Sequence, residues 1–324
     1  MDMEFSFDLL LRIVIALVAI IIFISANAIV LVYAERKVAG FVQRRPGPDE
    51  VGPYGLLQAF ADAIKLVAKQ LVRPRSADPI LFWLAPIIIF APLVLMFMPI
   101  PFSPLLTGYT IELGLFLILA LAGLSVLAVL LAGWGSNSKY SLYGAARGVS
   151  QSVAYEIPLL LAVLAVVMQH GSLNLTTIVE TQGSWPWQWG VMTQPLAFII
   201  FFISAFGETN RAPFDLPEAE SELAAGFHTE YSGMGFALFF LAEYASMVLI
   251  CALCTVLFFG GWKGPFFDGV WWFLIKTYGF LFVMMWVRWT FPRVRFDQLL
   301  NINWQWLLPL GIINLFLTAL FLKL

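Results

Sequence analysis

The sequence predicts an all-α, polytopic membrane protein with eight transmembrane helices, one amphipathic interfacial helix and both termini on the outer side. Three observations carry this reading. Of the 324 residues, 61% are hydrophobic and 12% charged, about half the ~25% charged content of soluble domains, and the mean hydropathy is +0.88. Apolar runs approaching the roughly 20 residues that cross a bilayer recur eight times. Basic residues collect in alternate loops.

The spans fall at about 11–32, 80–99, 113–132, 153–169, 194–207, 234–258, 268–288 and 304–322. The first follows an acidic start, Met1-Asp2-Met3-Glu4, where a cleaved signal would carry a positive region and a shorter apolar core; it is expected to be retained. The second holds Pro86 and Pro92 and the fourth Pro158, which neighbouring helices or water must accommodate. The fifth is short and runs straight into an acidic segment. No internal repeat is visible, and one domain, 1–324, is expected.

The loops after spans 1, 3, 5 and 7 hold Arg36, Lys37, Arg44, Arg45, Lys65, Lys69, Arg73, Arg75, Lys139, Arg147, Arg211, Arg288, Arg293 and Arg295, out of 18 Lys and Arg in all. The loops after spans 2 and 4 hold none. The first set therefore faces the cytoplasm or matrix. Within the first of these loops, Leu56, Leu57, Phe60, Ile64, Val67 and Leu71 recur at helical spacing, with Gln58, Asp62, Lys65 and Lys69 opposite. That pattern predicts an interfacial helix over 56–71, either a functional element or a simple lipid anchor. The Pro and Gly from Pro46 to Gly55 predict a tight turn as the chain leaves span 1.

The functional signal is a concentration of acids. Segment 208–230 carries Glu208, Asp215, Glu218, Glu220, Glu222 and Glu230 against one cation, Arg211. Glu156 lies near the start of span 4 and Glu243 near mid-depth of span 6. Ionisable groups at such depths face the bundle interior, a partner or water, and burial brings carboxylates towards protonation at physiological pH. Pro217 suits a first helical position, so Glu218, Glu220 and Glu222 also read as dipole-complementing acids of a helix start. That explanation does not reach Glu156 or Glu243. Lys276, inside span 7, either snorkels or neutralises a buried Glu. His170 and His228, at span ends, read as solvated or capping. Cys251 and Cys254 lack the further ligands of a metal site and read as core packing. Gly133–Lys139 does not match the phosphate-loop pattern and reads as a turn. No metal site, flavin signature or dinucleotide fingerprint is present, so no redox cofactor is expected in this chain, nor is nucleic acid a partner.

The 208–222 segment and its continuation Ala225-Gly226-Phe227-His228-Thr229-Glu230-Tyr231-Ser232-Gly233-Met234 resemble the signature of the eight-span membrane subunit of respiratory complex I. Glu35-Arg36-Lys37 with Gly40 and Gln43, Val51-Gly52-Pro53 with Gly55-Leu56-Leu57-Gln58, and Ala61-Asp62 with Lys65-Leu66 resemble its first-loop motif. Arg293-x-Arg295-x-Asp297-Gln298-Leu299 resembles its last cytoplasmic loop. Asp49 and Gln70 depart from the usual residues of the first loop.

The resemblance implies a subunit of a proton-translocating NADH:quinone oxidoreductase, with quinone as substrate and the iron–sulfur clusters and FMN held by partners. Arg36, Arg45 and Asp62, with Arg211, Phe214 and Phe227, carry over as quinone chamber or portal residues. Glu35, Glu156, Glu208, Asp215, Glu218, Glu220, Glu222, Glu230 and Glu243 carry over as a coupling path. Implied partners are the iron–sulfur and other peripheral-arm subunits, small membrane subunits, antiporter-like subunits and lipid, in a prokaryotic plasma membrane or the mitochondrial inner membrane. A related anchor subunit of ferredoxin-, deazaflavin- or hydrogenase-linked complexes is the alternative; a stand-alone cation/proton antiporter would require an inverted repeat.

Overall fold

The computed structural model describes residues 7–104, 106–218 and 220–323, and the side chains of all of these except 7–10, 220 and 221. The described residues are almost all helix or turn, with a single isolated bridge between Pro101 and Thr107. In chain order the helices are α1 (Phe7–Val42), α2 (Gln58–Ala68), α3 (Pro79–Met96), α4 (Gly114–Gly135), α5 (Lys139–His170), α6 (Leu175–Thr181), α7 (Gly190–Thr193), α8 (Pro195–Glu208), α9 (Glu220–Leu223), α10 (Gly233–Phe258), α11 (Val270–Thr290), α12 (Phe296–Asn301) and α13 (Leu308–Lys323). A π-helical turn, Ile302–Leu307, joins the last two into one rod.

Among the described residues, seven helices are long and apolar enough to span a membrane, and α8 is a shorter apolar one. At 1.5 Å per residue its 14 residues cover about 21 Å, short of the ~30 Å hydrocarbon core. The eight expected spans are therefore all helices, seven of full length. Two run well past their apolar runs. α1 continues to Val42 and carries Glu35, Arg36 and Lys37 on its last turns, so the helix ends ten residues beyond the expected span, and the turn follows in the expected Pro46–Gly55 stretch. α5 begins at Lys139 rather than near 153, because Ser138 in an extended conformation opens the helix and no proline follows it before Pro158.

Local chemistry sets the ends. The Asp78 carboxylate accepts from Ile80 N and Leu81 N, at 2.9 and 3.2 Å, with Pro79 at the first helical position, a cap that satisfies orphan donors. Gly171, at φ 66°, closes α5. α10 and α5 form the centre: from Met247 to Phe258 every residue of α10 is buried, and it packs on α1, α2, α3 and α11, while α5 packs on α4, α8 and α13. α2 keeps Phe60, Ile64 and Val67 exposed, at 53, 54 and 69%, so its apolar face points away from the rest of the chain.

The segment after α8 departs from expectation. No helix starts at Pro217: α9 is a single turn beginning at Glu220, and Ala224 (φ 63°) and Gly226 (φ 62°) end it. Glu218 lies in the preceding turn, outside the helix, so the dipole explanation falls away for it, whereas Glu222 stands in the one-turn α9 and pairs with Arg147. The segment is pinned from both sides. Tyr231 stacks on Phe82 of α3 at 4.2 Å and donates to its carbonyl at 3.1 Å. Gln151 of α5 donates to Gly207 O, Asn210 Oδ1 and Phe214 O.

Candidate functional site: two cavities joined by a buried arginine

The larger cavity, about 520 Å³, is lined by Val32, Glu35, Arg36 and Ala39 of α1, by Arg45–Pro48 of the following turn, and by Phe240, Tyr244 and Trp289. The turn can fold back onto α1 because Gly40 has no side chain: a Cβ there would sit 2.9 Å from Arg45 O and 3.0 Å from Gly47 N. Lys37 reaches Asp49 at 3.6 Å, so the unusual Asp49 makes a local ion pair. Arg36 binds Asp62 of α2 at 2.6 Å, and Gln58 holds the other Asp62 oxygen at 3.0 Å.

The inner cavity, about 120 Å³, lies between α3, α4, α5 and α10. Its walls are mostly aliphatic, but one end gathers Glu156, Glu208, Glu218 and Glu243 with Ser152, Thr209 and Asn210. Four acids from separate stretches of the chain thus meet in one space.

Arg211 stands between the two. It is 2% exposed. Its Nε lies 2.9 Å from Glu243 on the inner cavity, and its Nη1 lies 3.9 Å from Glu35 on the larger one. Its plane covers the Tyr244 ring at 4.6 Å. Tyr244 donates to Glu35 at 2.6 Å, and Arg288 of α11 pairs with the other Glu35 oxygen. Two carboxylates and two guanidinium groups therefore balance, as buried charges must. Burial works against the Arg211 charge, but Glu243 and Glu35 outweigh it, so its pKa lies above the ordinary value and it stays protonated. His228, half-buried beside Phe227 and Phe236, is pushed down to about 4 by desolvation. Its 3.9 Å approach to Glu218 is thus a contact of a neutral imidazole at pH 7. The Arg147 hydrogen bond holds the exposed Glu222 carboxyl below its ordinary range.

The residues singled out in the sequence separate into groups. Arg36 and Arg45 line the larger cavity, Asp62 stands one bond behind, and Arg211 behind Glu35. Phe214 and Phe227 do not line it: Phe214 packs on Tyr155 at 5.2 Å, and Phe227 is on the inner cavity wall. Among the acids, Glu156, Glu208, Glu218 and Glu243 share the inner cavity, Asp215 pairs with Arg293 at 3.2 Å, and Glu230 lies in a turn at intermediate burial. The Glu220 side chain lies outside the described residues. Tyr244, Arg288 and Trp289 escaped the sequence reading; only a tyrosine adjoining an intramembrane Glu, and a basic residue at a span end, hinted at the first two. Lys276 neutralises no Glu: its Nζ donates to the carbonyls of Phe259, Gly261 and Lys263 beyond the end of α10 and covers the Trp189 ring at 4.2 Å. His228 is half-buried, with 13% of its side chain exposed, while His170 meets the Thr181 hydroxyl at 2.7 Å.

A family model described as NADH dehydrogenase matches residues 15–319. The H-type subunit of NADH-quinone oxidoreductase from Desulfotalea psychrophila is 50% identical over 97% of this chain and 98% of its own length. The proteins of the same description from Rickettsia prowazekii (46% identical, 98 and 95% covered) and Geobacillus sp. (49%, 89 and 87%) agree over nearly the same extent. The chain belongs to the NADH dehydrogenase family. As in its relatives, it is the H-type membrane subunit of an NADH-quinone oxidoreductase, a complex with further subunits. Among the described residues no group of three or more His, Cys, Asp and Glu converges as a metal site.

Proposed function

We propose that the larger cavity is this subunit's part of the quinone chamber and that the inner cavity starts an acidic path coupling quinone reduction to proton movement. The single observation that carries this is the placement of Arg211, in contact with a carboxylate of each cavity. The larger cavity's volume falls within the usual range of about 300–1,000 Å³ for small-molecule sites, and it combines apolar walls with a few polar groups. Arg36 and Arg45 offer hydrogen-bond donors to a carbonyl head group, and the exposed apolar faces of α1 and α2 suit the route of an apolar tail from the bilayer, with α2 lying at its surface.

Reduction of a quinone takes up two protons. Charge arriving at Glu35 changes the balance around Arg211, and Arg211 then interacts differently with Glu243. Glu208, Glu218 and Glu156 extend the acids across the inner cavity, where antiporter-like subunits would continue the path. The basic loops face the cytoplasm or matrix and dock the peripheral arm, whose subunits hold the iron–sulfur clusters and FMN; both termini are then outside, in a prokaryotic plasma membrane or the mitochondrial inner membrane.

The test is the native complex carrying Glu243→Gln or Glu35→Gln, assayed for NADH:quinone reduction and for proton pumping in proteoliposomes. Assembled complexes with reduced coupled turnover are expected. Unchanged reduction and pumping in both variants would sink the reading.

A further inference from the structure

Pro158 lies inside α5. A proline there has no N–H, so the carbonyl four residues earlier loses its helical donor. That carbonyl is Ala154 O, and Glu156 lies between the two. The missing donor is supplied from the far end of the chain. Asn303, fully buried, gives its Nδ2 to Ala154 O at 2.5 Å.

Asn303 stands in the π-helical turn, in which Leu308 N reaches back five residues to Asn303 O. The slip from i→i+4 to i→i+5 disturbs the ladder where the turn begins. Leu299 O is at that point, sharing the Ile302 N–H with Gln298 O, and it accepts the Tyr155 hydroxyl at 3.1 Å. Tyr155, too, is fully buried. Each helix thus presents, at its own irregularity, a carbonyl that accepts a side-chain donor from the other. Both bonds are made at the two residues that directly precede Glu156. One extra residue in a turn rotates the remainder of the helix by about 100°, so a regular helix over 302–307 could not aim Asn303 at α5 while keeping α13 against it.

We propose that Asn303 is a positioning residue for Glu156: this crossed pair of bonds fixes the rotation of α5 at Ala154–Glu156 and holds the Glu156 carboxyl in the inner cavity, facing Glu208. The importance of that carboxyl for proton movement rests on the function proposed above; its placement by Asn303 does not. The π turn is then part of the coupling apparatus, although no residue in it is acidic.

The experiment uses the whole complex in proteoliposomes. The infrared carboxyl or carboxylate band of Glu156, assigned by its loss in Glu156→Gln, reports the position and environment of the group whether or not it carries protons. Asn303→Leu is expected to shift that band, to move the pH profile of quinone reduction, and to lower coupled turnover by about threefold or more, the scale of one interhelical hydrogen bond in a membrane. Asn314→Leu removes another bond of the same helix, to Gln194, and is expected to leave the band in place. Adding Pro158→Ala to Asn303→Leu returns an N–H to Ala154 O; stability should recover while the band stays displaced. If Asn303→Leu does not assemble, Tyr155→Phe decides, with a smaller shift expected. An unmoved band in the assembled variant, or full recovery of band and rate in the double variant, overturns the proposal. Normal pumping in Glu156→Gln with a displaced band in Asn303→Leu overturns the proton-path reading alone.

Discussion

Arg211 approaches Glu243 to 2.9 Å with only 3% of its side chain exposed. At that depth the guanidinium is held by its carboxylates, and each carboxylate is tolerated because of it. Removing one member of a buried pair costs about 3–5 kcal/mol, because the survivor is left charged and unsolvated.

Arg211→Leu is therefore expected to abolish assembly or lower quinone reductase activity more than tenfold, and Arg211→Lys to recover part of it. Native gels of membranes, followed by activity on the assembled fraction, measure both.

Tyr244→Phe keeps the ring beneath Arg211 and removes the 2.6 Å donor to Glu35. A hydrogen bond to a charged acceptor contributes about 1.5–3 kcal/mol. Quinone reduction should fall about tenfold with assembly near normal. A wild-type rate would show that Glu35 is held well enough by Arg288.

His228 is neutral in the folded protein down to about pH 4, whereas an unfolded histidine titrates near 6.5. Its pKa is depressed, so the contribution is complete above pH 6.5 and is lost as pH falls from 6.5 through about 4. At ~1.4 kcal/mol per unit the full loss is about 3 kcal/mol, reduced by Glu218, 3.9 Å away. Thermal inactivation of the complex should steepen across that window, and His228→Gln should flatten the dependence.

Arg147 and Glu222 meet at 2.5 Å, but Glu222 is 53% exposed. Exposed pairs contribute about 0.2–1 kcal/mol. Arg147→Ala is expected to shift thermal stability by no more than that, and a larger loss would mean that this pair anchors the 208–230 segment.

Gly144 of α5 touches the same segment with no room to spare: a Cβ would lie 2.8 Å from the backbone of Gly226 and Phe227. Gly144→Ala should displace the segment and cut both assembly and activity. Retained activity would show that the segment shifts freely.

The spans were legible because bilayer thickness imposes a length and an apolar composition that survive in the sequence alone. The acids of the inner cavity were legible for the same reason, since Glu156 and Glu243 are costly where they stand. Helix ends were less so. α5 extends back to Lys139 through residues too polar for a hydropathy reading, and Pro217 looked like a helix start until Ala224 and Gly226 confined α9 to one turn. The pairing of charges was not legible. Arg288 joins Glu35, not a nearer acid, because α1 and α11 meet in space across about 250 residues of chain. The Asn303–Ala154 bond was equally hidden, since its acceptor is a backbone atom whose need arises only from Pro158.

α1 is one unbroken helix of 36 residues, about 54 Å long, against a hydrocarbon core of about 30 Å. Its first half exposes Ile15, Val18 and Ile22, an apolar surface suited to lipid, and its last turns carry Glu35 and Arg36. A rod that length adjusts its tilt to bilayer thickness, and the far end moves most. The carboxylate beside Arg211 and Arg288 is thus mechanically linked to the membrane itself. Quinone reduction by the complex should vary with acyl-chain length even when the concentration of quinone in the lipid is held constant.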